Sequence, residues 1–232
     1  MRAKHIGIVA VSAEGAALCY RTVCVEGAAL MGRHAHPEVS MHTFPMSEYM
    51  KDVDVNGWAS AAELLLVSAN KLAGMGAEIL ISPDNTIHEA LDLVRDRAPV
   101  LWLHIAEEVA AVAAERGFAR LGILGTRYLM EGPVYRTKLA ARGIAFEIPG
   151  PGERERINSI IFDELVYGRF HARDRDYLSG VIRDLSERGC DAVVLGCTEI
   201  PLIISDADSC LPTLPSTQIL ARAALREATR SS

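Results

Sequence analysis

Two stretches of this chain end an apolar run on a group that can move a proton. "GAEILISPDNTIHE", residues 76 to 89, delivers Asp84, with Asn85, Thr86 and His88 close behind. "GCDAVVLGCTEIPL", residues 189 to 202, has the same outline and delivers Cys197, followed by Thr198 and Glu199. In each, a glycine (Gly76 or Gly189) stands eight residues ahead of the reactive position. A carboxyl and a thiol on opposite faces of one small molecule are what inversion at a carbon requires. One group removes a proton from one side and the other returns a proton to the other side. The carbanion between them needs its charge stabilised, which is an electrostatic task.

The neighbours suit that task. Asn85, Thr86, Thr126 and Thr198 fall where a strand is expected to turn into a helix. Free backbone N–H groups and the helix dipole there favour an anion. Such a turn is expected to lower the pKa of Cys197 and raise its thiolate fraction. Asp84 starts from about 3.9, a weak base near neutrality, and burial would raise it and let it serve as an acid. The same aspartate at the same place can instead cap the following helix. For Cys197 the competing reading is an inert buried thiol. His88 can orient a catalytic group or be a satisfied helix-start histidine. Glu199 can polarise the region around Cys197 or simply favour a helix N-terminus. Arg127 follows Thr126 at a strand end, positioned either to meet a substrate's side-chain carboxylate or to sit on the surface.

The elements that position these groups alternate. Strands are expected at 5–11, 38–44, 77–82, 99–104, 119–125, 143–148 and 191–196. Helices are expected at 14–31, 57–76, 88–96, 105–116, 133–142, 153–167, 173–188 and 216–229. This alternation implies mostly parallel sheets covered on both faces, with ligands beyond the carboxyl ends of the strands. Two echoes suggest two similar α/β halves. Cys197 follows Asp84 by 113 positions (197 − 84), and "IGIVAVSAEGAALCYRT" (6–22) lines up on "LGILGTRYLMEGPVYRT" (121–137) at 115 (121 − 6). The fold expected is therefore α/β, with two Rossmann-like domains. The first comprises 1–98 with 214–232, its closing helix crossing back, and the second 99–213. If the halves face each other about a pseudo-twofold axis, Asp84 and Cys197 meet across one cleft.

Composition excludes other classes. The 232 residues are half apolar and 23% charged, a folded composition. A net charge of −6, with no basic cluster interleaved with aromatics, argues against nucleic acid and anionic membranes. No apolar stretch approaches the ~20 residues of a membrane span, and the first apolar run is too short for a signal peptide. Five cysteines without a CxxC pattern point to reduced thiols in the cytoplasm. "HAH" at 34–36 with His42 has no acidic or thiol partner at ligand spacing. No metal is expected, and these histidines are read as solvent-exposed.

The pair of loops resembles the aspartate/glutamate racemase family, which inverts amino acids without pyridoxal phosphate. "GCTEIPLI" (196–203) matches that family's second loop, and "DNTIH" (84–88) its first with Asp84 in place of cysteine. "GTRYLMEGPVYRTKL" (125–139), "INSIIFDELVYGRF" (157–170) and "STQILARAAL" (216–225) extend the likeness over most of the chain. The glycine-rich first loop of many members is here "VAVSAEGAA" (9–17), and Ser12 within it is given a supporting role beside His88 and Glu199. Pro215 stands where relatives commonly have Asp. The resemblance implies two facing α/β domains, a cofactor-free isomerase acting on an amino acid or small dicarboxylate, and a homodimer. It assigns catalysis to Asp84 and Cys197, and substrate binding to Asn85, Thr86, Thr126, Arg127 and Thr198. Two alternatives remain. One is a single-thiol decarboxylase or cis-trans isomerase in which Asp84 is structural; the other is a binding protein without turnover.

Overall fold

The computed structural model describes residues 2–51 and 57–230. It contains two compact units, Met1–Ile105 with Thr217–Ser232, and Ala106–Ser216. Each holds one four-stranded parallel sheet.

In the first unit, β1 (Ile6–Ala10), β2 (Val39–Thr43), β3 (Ile79–Ile81) and β4 (Leu101–Leu103) lie in the order β2-β1-β3-β4. Between them run α1 (Ala13–Met31), α2 (Met46–Met50), α3 (Ala59–Gly74) and α4 (His88–Val94). β1 and β3 are buried along their whole length, because a parallel strand covered on both faces has no polar side. One face carries Ala61, Leu65, Leu72 and Leu91 from α3 and α4, with Trp102. The other carries Ala16, Cys19 and Val23 of α1, with Leu220, Ala224 and Leu225 of the closing helix.

The second unit begins with α5 (Ile105–Glu115). It continues through β5 (Arg120–Leu124), α6 (Arg127–Glu131), α7 (Val134–Ala140) and β6 (Ala145–Glu147). α8 (Pro151–Ser159), α9 (Ala172–Glu187), β7 (Ala192–Leu195) and β8 (Thr213–Pro215) follow, and α10 (Ser216–Thr229) then belongs almost wholly to the first unit. The sheet order is β6-β5-β7-β8, the order of the first sheet restated element for element. Ile157, Ile160, Leu178, Ile182 and Leu185 cover one face against Leu124, Val193 and Leu195.

Several expectations change. The sequence pattern puts residues 99–104 in the second half, but β4 pairs with β3 through Ile79–Leu101, Leu80–Trp102 and Ile81–Leu103, so the strand belongs to the first sheet. β8 was not expected; three residues beside prolines still pair with β7. The helix expected over 153–167 is α8 followed by a π turn (Ile160–Glu164) and a 3₁₀ turn (Leu165–Tyr167) ended by Gly168 at φ 69°. The internal repeat also shifts register by one. Ser12 caps α1 by accepting from Gly15 N–H at 3.3 Å, and Thr126 caps α6 by accepting from Leu129 N–H at 3.2 Å. The structure therefore equates Ser12 with Thr126, an offset of 114 (126 − 12), not Ser12 with Arg127. Gly76 and Gly189 keep their match, both with left-handed φ of 96° and 86° where a helix turns into the next strand.

Candidate active site

All the singled-out residues lie past the carboxyl ends of parallel strands, in two clusters, one per unit.

In the first unit the chain leaves β3 through buried Ser82 and half-buried Asp84. Asp84 Oδ1 accepts the Ile87 N–H at 3.3 Å, so the carboxylate does cap the turn into α4. Asn85 is buried, Thr86 half-buried, and their carbonyls accept the N–H groups of His88 and Glu89 at 3.2 and 3.3 Å. The loop is pinned twice more. His88 Nε2 lies 3.0 Å from the Ser82 carbonyl, and the Thr217 hydroxyl donates to the Pro83 carbonyl at 3.1 Å. A carbonyl only accepts, so His88 carries its proton on Nε2. Its Nδ1 is buried without a hydrogen-bond partner. Burial holds the imidazole well below its ordinary pKa, and the His104 ring, 4.4 Å away between centroids, adds to this. His88 is thus a neutral clamp across the loop. Ser12 stands at the end of β1, half-buried and engaged as a cap.

In the second unit, β7 is followed by Gly196 and Cys197. The Cys197 Sγ lies 2.9 Å from Glu199 Oε2, and the Thr198 hydroxyl donates to the same oxygen at 2.7 Å. All three residues are buried. The Cys197 thiol is thus placed to donate to the Glu199 carboxylate. The expected helix after this loop is only a 3₁₀ turn (Ile200–Leu202), so the sulfur does not face the N-terminus of a long helix. The loop's immediate electrostatic partner is a carboxylate.

Gly125 and Gly196 bring the neighbouring loops together. Gly196 N–H donates to the Leu124 carbonyl at 2.7 Å. A Cβ on Gly196 would stand 2.5 Å from Leu129 Cδ2 and 2.8 Å from the Leu124 oxygen, and one on Gly125 would stand 2.7 Å from Leu129 Cδ2. Thr126, half-buried, therefore stands beside the Cys197 loop, its Oγ1 facing Leu129 N–H. Arg127 is exposed; its backbone N–H donates to Asn158 Oδ1 at 3.0 Å. Ser216 donates to the Leu195 carbonyl at 3.0 Å, two residues ahead of Cys197. Nothing local in the sequence marks Thr217, Ser216 and Asn158 as loop supports, because each acts on a segment remote in the chain. His34 and His36 are exposed, but His42 is half-buried and hydrogen-bonded, which corrects its reading as a solvent-facing residue.

The Asp/Glu/Hydantoin racemase profile matches residues 6–224, and the chain belongs to that family. A Yersinia pestis protein provisionally assigned as an Asp/Glu racemase is 31% identical, with a TM-score of 0.91 covering 98% of this chain and 100% of that one. An aspartate racemase homologue from Pyrococcus horikoshii OT3 is 27% identical, with a TM-score of 0.84 and the same coverage. A glutamate racemase of Pseudomonas paraeruginosa (strain DSM 24068 / PA7) is 31% identical over 136 residues, 55% of this chain and 48% of that protein. The matched segment spans about half that relative's length.

Proposed function

We propose that the protein is a cofactor-independent amino-acid racemase of the aspartate/glutamate type, in which Asp84 and Cys197 act from opposite faces of the α-carbon. The observation that carries this reading is the buried contact between Cys197 Sγ and Glu199 Oε2 at 2.9 Å. A structural cysteine needs no carboxylate; a thiol that must gain and lose a proton each turnover does. Glu199 gives that proton a place within 2.9 Å of sulfur. Thr198 bonds the same oxygen and restrains the carboxylate's orientation.

The observed hydrogen bonds suggest a resting state. Accepting the Ile87 N–H favours the ionised form of Asp84, and donating to Glu199 favours the thiol form of Cys197. Asp84 is then the base for one enantiomer and Cys197 the acid that returns a proton to the other face. For the opposite enantiomer the roles exchange, with Glu199 holding the thiol's proton. Asn85, Thr86, Thr126 and Thr198 supply donors for the α-carboxylate, and Arg127 a cation for an acidic side chain. In this reading the substrate is an acidic amino acid, no cofactor is needed, and a single chain contributes both groups. The protein acts in the cytoplasm, as a homodimer.

The test follows solvent deuterium into the α-position of L- and D-amino acids. Wild type is expected to exchange and racemise. Cys197→Ala and Asp84→Asn should each lose about 10²-fold or more in racemisation, the scale of a positioned acid or base. Glu199→Gln should lower turnover while making Cys197 easier to alkylate at neutral pH, because the neighbouring negative charge is gone. No exchange with any amino acid ends the racemase claim. Full activity in Asp84→Asn removes only the two-group mechanism; the second reading is a single thiol returning a proton to one face. That reading draws on the Asp84 cap and predicts turnover of a malonate or maleate instead.

A further inference from the structure

Two adjacent hydroxyls at the start of α10 send their protons away from their own helix. Ser216 Oγ donates to the Leu195 carbonyl at 3.0 Å, and Thr217 Oγ1 donates to the Pro83 carbonyl at 3.1 Å. Both residues are buried. The chain passes from the second unit to the first between them, and each bond stays within one unit. Serine and threonine at a helix start ordinarily serve that helix, by accepting one of its free N–H groups. Here the carbonyls that take the protons lie 21 and 134 positions away in the chain.

In each loop the bond supplies what the local backbone leaves open. A peptide unit is planar, so fixing its oxygen fixes the direction in which the chain continues. The Leu195 oxygen belongs to the peptide unit shared with Gly196, and the N–H of that unit donates to the Leu124 carbonyl at 2.7 Å. The plane is therefore held at both ends, immediately before a glycine that has no Cβ to restrict its own dihedrals. Ser216 is itself oriented. Leu195 pairs with Pro215 across β7 and β8, which brings the next residue, Ser216, to the end of β7. Pro215 has no N–H, and β8 is an edge strand, where none is missed. Ser216 also hydrogen-bonds the buried Tyr135 phenol, and because its own proton goes to Leu195 it accepts from the tyrosine. In the first unit, the Pro83 ring fixes φ and leaves ψ open. Thr217 holds the Pro83 oxygen, and with it ψ, so the peptide plane that enters Asp84 is set. His88 holds the oxygen before it, that of Ser82, at 3.0 Å.

We propose that Ser216 and Thr217 are a pair of positioning residues, Ser216 for Cys197 and Thr217 for Asp84, each acting through a peptide plane just ahead of the group it places. A buried hydroxyl is satisfied by any acceptor. These two, side by side, take carbonyls one residue before Asp84 and two before Cys197. The effect on turnover rests on the two-group reading above; the effect on loop geometry does not.

Thr217→Val keeps the shape and removes the proton, whereas Thr217→Ser keeps the proton. Ser216→Ala and Ser216→Thr make the same contrast at the other loop. Thr217→Val and Ser216→Ala are each expected to lower kcat for α-deuterium exchange by about tenfold or more, the scale of misplaced reacting groups, with KM nearly unchanged. Thr217→Ser and Ser216→Thr should restore it. Two local readouts accompany the kinetics. Thr217→Val should speed hydrogen exchange of the Ile87 and His88 amides, which are bonded within the Asp84 loop, several-fold. Ser216→Ala should raise the alkylation rate of Cys197 by iodoacetamide several-fold, followed by mass spectrometry of its peptide. Each variant should leave the other loop's readout at the parent rate. A role in packing alone moves both readouts together, in step with stability in urea, and overturns the assignment. If the wild type exchanges no amino acid, the racemase reading fails and the two local readouts decide. Readouts unchanged in both hydroxyl-free variants overturn the proposal.

Discussion

At the scale of single residues, the two loops are held differently. Asp84 accepts the Ile87 N–H, and the Cys197 sulfur meets the Glu199 carboxylate inside a buried loop. His88 shows how the first loop is held without adding charge. Its pKa is depressed, so the folded state keeps the ring neutral while the unfolded chain takes up a proton at about the ordinary 6.5. The contribution to stability is therefore complete above that value and drains away as pH falls below it. Unfolding free energy measured in urea should decline on acidification from about 6.5, by up to about 1.4 kcal/mol per pH unit for one proton. His88→Gln, which cannot titrate, should flatten that decline. An unchanged slope would mean that His88 is not the group responsible.

At the scale of elements, glycine pairs and short turns decide where the side chains arrive. Gly196→Ala forces a methyl against Leu129 and the Leu124 carbonyl. Backbone oxygen cannot yield as a side chain can, so a loss of about 1–3 kcal/mol in denaturant melts is expected, together with reduced turnover. Parent-like stability and activity would show that the two loops need not approach so closely. Much of this level was legible in the sequence. The unbroken apolar runs of β1, β3 and β7 announce strands covered on both faces, and the loops after β3 and β7 were found by their matched glycines. What was not legible depends on distant partners. β4 looks like any short strand, and only its pairing with β3 assigns it to a sheet. β8 owes its existence to β7, α2 and α6 are single short turns, and Ser216 and Thr217 act on backbone far away in the chain. The offset of the repeat differs by one between sequence and structure because apolar strands slide past each other easily in an alignment, whereas helix caps do not.

For the whole molecule, the two sheets share one strand order, and the Asp84 and Cys197 loops follow corresponding strands, β3 and β7. The family relationship covers nearly the full span, so both halves belong to one inherited framework. If a single chain completes the site, mixing equal amounts of Asp84→Asn and Cys197→Ala proteins should recover no deuterium exchange. Recovery on mixing would show instead that neighbouring copies pool their loops. A double variant no worse than either single one would mark the two groups as a functional pair.

The first unit is discontinuous: Leu220, Ala224 and Leu225 of α10 seal the sheet face that Ile6, Ile8 and Ile79 form. A ribosome therefore releases the entire second unit before the helix that completes the first. During synthesis the later half can mature while the earlier one waits with an uncovered flank. Helpers that shield nascent chains should bind the N-terminal half for longest, and a pause in translation just before α10 should leave that half the more vulnerable to proteolysis.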